Sequence, residues 1–264
     1  MAIPMTINVG LAQTLNSTDI ENNFKSIISL LEKFRLAAVE VVLFPECCLS
    51  GFSSKMNECT LELMQPYFDQ LQDWTDSTGI EVVIPTAISE NGFVYNAGRL
   101  FKRDGNTPFY KTGLTYSEKT FFSVPNYPNQ KVFEISGFRF AILICSEAEH
   151  HPWAYFKHGE ADAVFWPGYW GWTVESEWGA EEKPGKLNPI YSNVEQWKIP
   201  VLQANFASND LDGRKGPGPE GLSFVIGGDN DLKMKGPHNE VGGVVVKLGK
   251  GFGTTTVLSC RRLD

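Results

Sequence analysis

The sequence has no long apolar run and no excess of basic residues. Nowhere do about 18 uncharged apolar residues stand together, and no basic residues precede the apolar residues near the N-terminus. With 23 Lys and Arg against 31 Asp and Glu, the net charge is −8, so the positive field that attracts phosphate backbones is missing. We therefore expect a cytoplasmic protein whose partners are neither membranes nor nucleic acids.

The five cysteines form no recognisable disulfide or zinc pattern. Their number is odd, Cys47 and Cys48 are adjacent, and no CxxC pair has a matching second pair. This predicts free thiols in a reducing compartment and no structural metal site. The chain also has no internal repeat and no low-complexity linker, which favours one domain over residues 1–264.

The order of the predicted elements is typical of an α/β fold, because strands alternate with amphipathic helices. Asn91-Gly92 is typical of a hairpin turn, so part of the sheet should be antiparallel. The elements expected in the first third are a strand over 6–12, a helix over 20–34, a strand over 39–44, a helix over 61–75 and a strand over 81–89. Farther along, short helices are expected over 150–159 and 188–197.

Three ionisable side chains stand at or near the ends of predicted strands. Glu46 follows the strand over 39–44, Lys111 opens an irregular segment, and Cys145 ends the apolar run that begins at Phe138. A thiol there could act as a nucleophile if a carboxylate took its proton and an ammonium stabilised the developing negative charge. Each residue also has a purely structural interpretation, namely a packed core cysteine, a capping carboxylate and an exposed loop lysine.

The segments around these residues resemble the three signature blocks of the nitrilase, or carbon-nitrogen hydrolase, superfamily. The blocks are Val42-Leu43-Phe44-Pro45-Glu46, Tyr110-Lys111-Thr112-Gly113-Leu114 and Ile142-Leu143-Ile144-Cys145-Ser146-Glu147. Weaker similarity continues through 162–167, 193–205 and 220–223. The resemblance therefore extends over nearly the whole chain.

What the resemblance implies is an α-β-β-α sandwich with mixed sheets, assembled as a homodimer or larger homo-oligomer and needing no metal or organic cofactor. It makes Cys145 the nucleophile, Glu46 the general base and Lys111 the transition-state stabiliser. Glu118 matches a second glutamate that positions the lysine or the incoming water. The implied chemistry is the cleavage of an amide through a cysteine thioester, with release of ammonia or an amine.

The chain departs from the pattern of many amidase members directly after Cys145. Those members carry an arginine there that often holds a substrate carboxylate, whereas this chain reads Ser146-Glu147-Ala148-Glu149. Because Arg is suited to bidentate capture of a carboxylate, we expect a small neutral or basic carboxamide instead. Two alternatives stay open: a nitrilase, which often carries a glutamate at the position of Glu147, and a non-catalytic binding or scaffold protein on the same fold.

Aromatic residues cluster after the nucleophile block and predict part of the substrate pocket. We expect Ser146, Glu147, Trp166, Trp170 and Trp172 to contact the substrate. The Trp-rich segment over 168–187 would form either a pocket wall or an interface, and the tryptophans could equally be packing residues. His150 and His151 are expected to lie outside the chemistry.

Overall fold

The structure is a computed structural model that describes residues 5–103, 105–126, 129–150, 154–170, 189–210, 221–251 and 253–263. The helices are α1 (Ile20–Leu36), α2 (Leu61–Thr78), α3 (Ser146–Glu149) and α4 (Pro189–Trp197). The strands are β1 (Met5–Gln13), β2 (Leu15–Ser17), β3 (Val41–Leu43), β4 (Glu81–Glu90), β5 (Phe93–Lys102), β6 (Gly105–Tyr110), β7 (Val132–Ile135), β8 (Phe138–Ile142), β9 (Ala163–Pro167), β10 (Val201–Ala204), β11 (Ser208–Asp210), β12 (Phe224–Ile226), β13 (Leu232–Lys235), β14 (Gly242–Gly251) and β15 (Thr254–Arg262). Two short 3-10 helices cover Ser54–Glu58 and Glu118–Thr120.

Two mixed sheets contain nearly all of these strands. The first has seven strands in the order β15-β14-β1-β3-β4-β5-β6, and the second has six in the order β13-β12-β10-β9-β8-β7. Within the first sheet β1, β3 and β4 are parallel, and within the second β8, β9 and β10 are parallel. The remaining neighbours in both sheets are antiparallel.

Alternation along β3 explains how the first sheet is covered on both faces. Val41 and Leu43 point into a core shared with the second sheet, while Val42 points into the core formed with α1 and α2. All three are fully buried, as expected for a parallel strand between two layers. Helix α1 begins at Asp19, whose carboxylate accepts the N–H of Asn22 at 3.1 Å and caps the first turn.

The second sheet is also covered on both faces. Phe140 and Phe165 stack at 4.1 Å between ring centroids inside the core between the sheets. On the opposite face, Val164 packs with Ile190 and Val194 of α4. Helices therefore cover the outer face of each sheet, and the predicted α-β-β-α sandwich is confirmed.

The structure contains the turn predicted at Asn91-Gly92, but the helix after Cys145 differs from the predicted one. The Asn91-Gly92 hairpin is confirmed, with both residues at positive φ (52° and 80°) as a two-residue turn between β4 and β5 requires. Of the predicted helix over 150–159, residues 151–153 lie outside the described residues and residues 155–159 are not helical, while α3 begins directly after Cys145 and ends at Glu149. Within the described ranges, no helix has the length and apolar character needed to cross a membrane.

Candidate active site

The two sheets contribute different parts of the candidate site. Glu46 lies three residues beyond the end of β3, and Lys111 directly follows β6, so both come from the first sheet. Cys145 lies three residues beyond β8, in the second sheet. The loops after these strands meet because Ser146 Oγ donates a hydrogen bond to the carbonyl of Gly113 at 2.8 Å.

Lys111 is bonded to two carboxylates in the interior. Its ammonium donates to Glu46 Oε1 at 2.9 Å and to Glu118 Oε1 at 2.5 Å. Lys111 has no exposed surface, and Glu46 and Glu118 are 1% and 6% exposed. A buried charge this well paired avoids the cost of an isolated ion, and removal of one partner would leave an uncompensated charge.

Further hydrogen bonds hold the two carboxylates in place. Asn96, in the middle of β5, donates its amide to Glu46 Oε1 at 2.7 Å. Glu118 Oε2 accepts the backbone N–H of Thr115 at 2.8 Å. The backbone N–H of Lys111 donates to the carbonyl of Asn96 at 2.7 Å, which extends the pairing of β5 with β6 by one residue.

The environment shifts the pKa of both partners in this pair. Burial raises the pKa of Glu46 above its ordinary value, the ammonium of Lys111 opposes that rise, and the charge of Glu118 adds to it. Burial alone would lower the pKa of Lys111, but Glu46, Cys145 and Glu118 raise it well above its usual range. Lys111 therefore stays an ammonium, while Glu46 is a carboxylate more basic than usual.

Cys145 occupies a strained backbone conformation at the start of α3. Its φ of 48° and ψ of −112° are unusual for a residue with a side chain. Hydrogen bonds hold the residue there: its N–H donates to Pro167 O at 2.8 Å, and its carbonyl accepts Trp166 Nε1 at 2.8 Å. As a residue Cys145 is partly exposed, whereas Cys47, Cys48 and Cys59 are buried.

The charges around Cys145 keep its thiol protonated at rest. Removal from water raises the pKa of Cys145 well above its ordinary value, Glu46 raises it further, and Lys111 opposes the rise. Glu149, which is also buried, adds to the rise. For this sulfur to act as a nucleophile a base would have to take its proton, and the basic carboxylate of Glu46 is chemically suited to that task.

Glu147 is fully buried and binds the backbone of both loops. Its Oε1 accepts the N–H of Thr112 at 2.7 Å and that of Gly113 at 3.1 Å, and its Oε2 accepts the N–H of Ile144 at 2.9 Å. The ammonium of Lys131 donates to both oxygens, at 2.9 and 2.7 Å. We expected Glu147 to contact substrate; the structure instead places it as an internal link between the Lys111 loop and the Cys145 turn.

Only part of the expected aromatic wall of the substrate pocket lies within the residues that the structure describes. Trp166 has no exposed surface, and its ring packs edge-on against Trp170 and Phe224, at 6.2 and 5.5 Å between ring centroids. Trp170 is half-buried, and its backbone N–H donates to Asn205 Oδ1 at 3.0 Å. Trp172 and most of the segment over 168–187 lie outside the described residues. Trp166 thus holds the backbone of Cys145 through its N–H, and its ring is buried in the core.

Sequence reasoning missed Asn96, Lys131 and an aromatic stack within electrostatic reach of Glu46. A buried Asn inside a strand is unusual, since Asn is depleted in strands, and this could have singled out Asn96. No local pattern marks Lys131, because its partner is 16 residues away. Phe52 stacks on Tyr169 at 4.8 Å between centroids, and the charge of Glu46 contributes to a raised pKa of Tyr169, whose largest cause is burial.

Potential metal ligands are not grouped in the part of the chain that the structure describes. No three His, Cys, Asp or Glu side chains there are placed to hold a metal ion. The groups that act electrostatically on the Cys145 thiol are instead the Lys111 ammonium and the acids Glu46, Glu149 and Glu118.

Comparisons with known proteins agree with the fold. The sequence profile of the family described as carbon-nitrogen hydrolase matches residues 8–170. An amidase from Nesterenkonia sp. has a TM-score of 0.72 at 19% identity, over 94% of this chain and 92% of its own. A mutant of the amidase from Nesterenkonia sp. AN1 carries acrylamide added at its active site cysteine.

Two further solved structures have a similar fold. XC1258 from Xanthomonas campestris, a CN-hydrolase superfamily protein with an arsenic adduct in its active site, has a TM-score of 0.76 at 14% identity, over 94% of this chain and 91% of its own. A glutamine-dependent NAD+ synthetase from Acinetobacter baumannii has a TM-score of 0.77 at 18% identity and covers 97% of this chain. This chain spans only 48% of that synthetase. A sequence search among curated proteins found no match.

The fold and the site thus define a hydrolase of the nitrilase superfamily. The profile covers more than half of the sequence, and this chain belongs to the carbon-nitrogen hydrolase family.

Proposed function

We propose that this chain is an amidase that hydrolyses a small neutral or basic carboxamide through a thioester on Cys145. The observation that carries the proposal is the fully buried Lys111 ammonium, bonded to Glu46 and Glu118 in a loop that contacts the turn of Cys145. An ammonium beside the attacked carbon would stabilise the oxyanion that forms there.

The first half of the reaction forms the acyl-enzyme. Cys145 Sγ attacks the amide carbon as its proton passes to Glu46, and the carbonyl oxygen becomes an oxyanion beside Lys111. The intermediate collapses with cleavage of the carbon-nitrogen bond, and Glu46 returns the proton to the leaving nitrogen. Ammonia departs from a primary amide, and an amine departs from a substituted one.

The second half consumes one water. Glu46 takes a proton from water, the hydroxide attacks the thioester carbon, and the second oxyanion forms at the same place beside Lys111. Cleavage of the carbon-sulfur bond releases the acid, and the proton on Glu46 returns to the sulfur. In this scheme Glu118 keeps Lys111 oriented through both halves, because it holds the ammonium at 2.5 Å and is itself held by Thr115.

The charges near the thiol support the neutral or basic substrate class. The buried acid Glu149 stands four residues after Cys145, within electrostatic reach of it. A carboxylate brought close to this group would be repelled, whereas an uncharged or cationic group would not. We also infer that the protein works as a homodimer or larger homo-oligomer, as the family resemblance implies.

The test is ammonia release from matched pairs of small amides and nitriles, with the intact mass of the protein measured during turnover. We expect faster release from the amide than from the nitrile, and a transient mass increase equal to the acyl group on Cys145. A faster nitrile reaction would make the protein a nitrilase. Absence of both the ammonia and the adduct across a broad panel would favour a non-catalytic role.

A further inference from the structure

One buried ion pair, Lys131 with Glu147, bonds to the backbone of the residues before and after Lys111. On one side, Lys131 Nζ donates to the carbonyl oxygen of Tyr110 at 2.6 Å. On the other, Glu147 Oε1 accepts the N–H of Thr112 at 2.7 Å. Lys131 and Glu147 are 5% and 0% exposed and bond to each other through both carboxylate oxygens.

The same pair also reaches the nucleophile. Glu147 Oε2 accepts the N–H of Ile144 at 2.9 Å, and Ile144 directly precedes the strained residue Cys145. One carboxylate thus bonds to the peptide after Lys111 and to the peptide before Cys145. A shift of either loop would break at least one bond of a buried and otherwise satisfied ion pair, which is costly.

We propose that Glu147 and Lys131 form a positioning pair that fixes Lys111 against Cys145 across the gap between the two sheets. Neither residue touches the reacting atoms. Their contribution is to hold the ammonium where the oxyanion forms, and small displacements of such a group reduce rates strongly. The pair also explains why a glutamate stands two residues after the nucleophile.

Gly113 provides a second connection between the loop of Lys111 and the turn of Cys145. Gly113 donates its N–H to Glu147 Oε1 at 3.1 Å and accepts Ser146 Oγ at its carbonyl. Tyr155 closes the outer side, with its ring centroid 5.3 Å from Lys131 Nζ. Water is thereby kept from the ion pair, which preserves its strength.

The variant for the test is the double substitution Lys131→Met with Glu147→Gln. Either single substitution would leave a buried charge without its partner and could prevent folding, whereas the double variant removes both charges at nearly constant volume. The matched control is Arg139→Met with Asp162→Asn. It removes another ion pair of the second sheet, 3.0 Å between Nη2 and Oδ1, together with the 2.7 Å bond from Lys250 to Asp162. Among the described residues, none of the hydrogen bonds of this group reaches the Lys111 loop.

We expect the double variant to lose about 10²-fold in kcat with KM nearly unchanged, because placement and not substrate affinity is lost. The rate of Cys145 alkylation by iodoacetamide should also move to higher pH, since a displaced Lys111 no longer favours the thiolate. The control should melt at a lower temperature than the wild type while keeping both the wild-type kcat and the wild-type alkylation curve.

The kinetic measurement rests on the proposed function, but the alkylation measurement needs no substrate. If no amide is turned over by the wild type, the proposed function fails while the pH curve of alkylation still decides the positioning proposal. An alkylation curve that is identical in the double variant and the wild type overturns it. So does a control that loses as much kcat, or shifts its curve as far, as the double variant.

Discussion

Trp166 donates its indole N–H to the carbonyl oxygen of Cys145 at 2.8 Å, so strand β9 holds the backbone of Cys145 in place. Trp166→Phe keeps an aromatic ring and removes only this donor. We expect kcat to fall about tenfold, the worth of one net hydrogen bond, with little change in KM. Steady-state kinetics on a primary amide measure both. A large increase in KM at constant kcat would instead place the ring against the substrate.

Cys145 should be the first thiol to react with a limiting amount of iodoacetamide. Cys47, Cys48 and Cys59 are buried, and burial raises the pKa of Cys260 to about 11. The pKa of Cys145 is raised as well, but we expect Glu46 to take its proton and Lys111 to stabilise the thiolate. Peptide mass mapping after brief labelling reports the order. Cys145→Ala should lose both the early label and all ammonia release, and equal labelling of all five cysteines would contradict an activated thiol.

Glu46→Gln should reduce kcat about 10²–10⁴-fold, because the amide cannot accept the proton of the thiol. Since the pKa of Glu46 is raised by burial, the wild-type rate should fall with decreasing pH at values above 4.5, where an ordinary glutamate still ionises. Asn96→Ala serves as the graded comparison. It removes one donor to Glu46 Oε1, and we expect a loss of about tenfold. Pre-steady-state ammonia release measures both variants, and equal losses would argue against Glu46 as the base.

Gly113→Ala should impair the site by steric overlap, because an added Cβ would meet the hydroxyl of Tyr155 and lie 2.9 Å from Glu147 Cγ. We expect loss of activity with a modest loss of stability, about 1–3 kcal/mol. Adding Tyr155→Phe removes the first overlap and should restore part of the activity. The control is Gly251→Ala, whose added methyl group meets no atom within 4 Å. Activity in Gly113→Ala equal to that of this control would contradict the predicted overlap.

Glu81 should make stability depend on pH far from the site. Burial raises its pKa from 4.5 to about 7 in the folded protein, with Lys102 opposing the rise, and its Oε2 has no hydrogen-bond partner among the described residues. The folded state therefore binds a proton more tightly than the unfolded state, and stability declines as pH rises from about 4.5 to 7. Glu81→Gln should remove that decline.

Because Glu81 is only partly buried, solvent screening reduces the effect, and we expect Glu81→Gln to gain about 1 kcal/mol at pH 8 relative to pH 4.5. Urea unfolding at the two pH values gives the difference. The exposed Glu62→Gln is the comparison. A constant difference between Glu81→Gln and wild type at both pH values would remove Glu81 as the source.

The elements that follow from local pattern were predictable. The apolar run before Glu46 and the Asn91-Gly92 turn specify a buried strand and a hairpin without reference to the rest of the chain. The three signature blocks identified Glu46, Lys111 and Cys145, and the structure places these residues in neighbouring loops. The helix after Cys145 begins at Ser146, earlier than expected, because the turn at Cys145 leads directly into it.

Partners that depend on the packing of distant segments could not be predicted. Glu147 was expected in the pocket because it stands near the nucleophile, but Thr112 and Lys131, which turn its side chain inward, come from other segments. Trp166 could have been placed by strand alternation. It shares a face of β9 with Val164, toward α4, while Phe165 faces the other sheet.

Because the candidate site is divided between two sheets, any activity of the protein depends on how the two sheets are placed relative to each other. The acids and the ammonium belong to one sheet, the sulfur belongs to the other, and the stacked rings of Phe140 and Phe165 lie in the layer between them. A sheet that kept every internal hydrogen bond but slid against its neighbour would preserve its circular dichroism and still separate Glu46 and Lys111 from Cys145. Turnover in this protein therefore reports the relative placement of two layers, a property that spectroscopic measures of secondary structure do not detect.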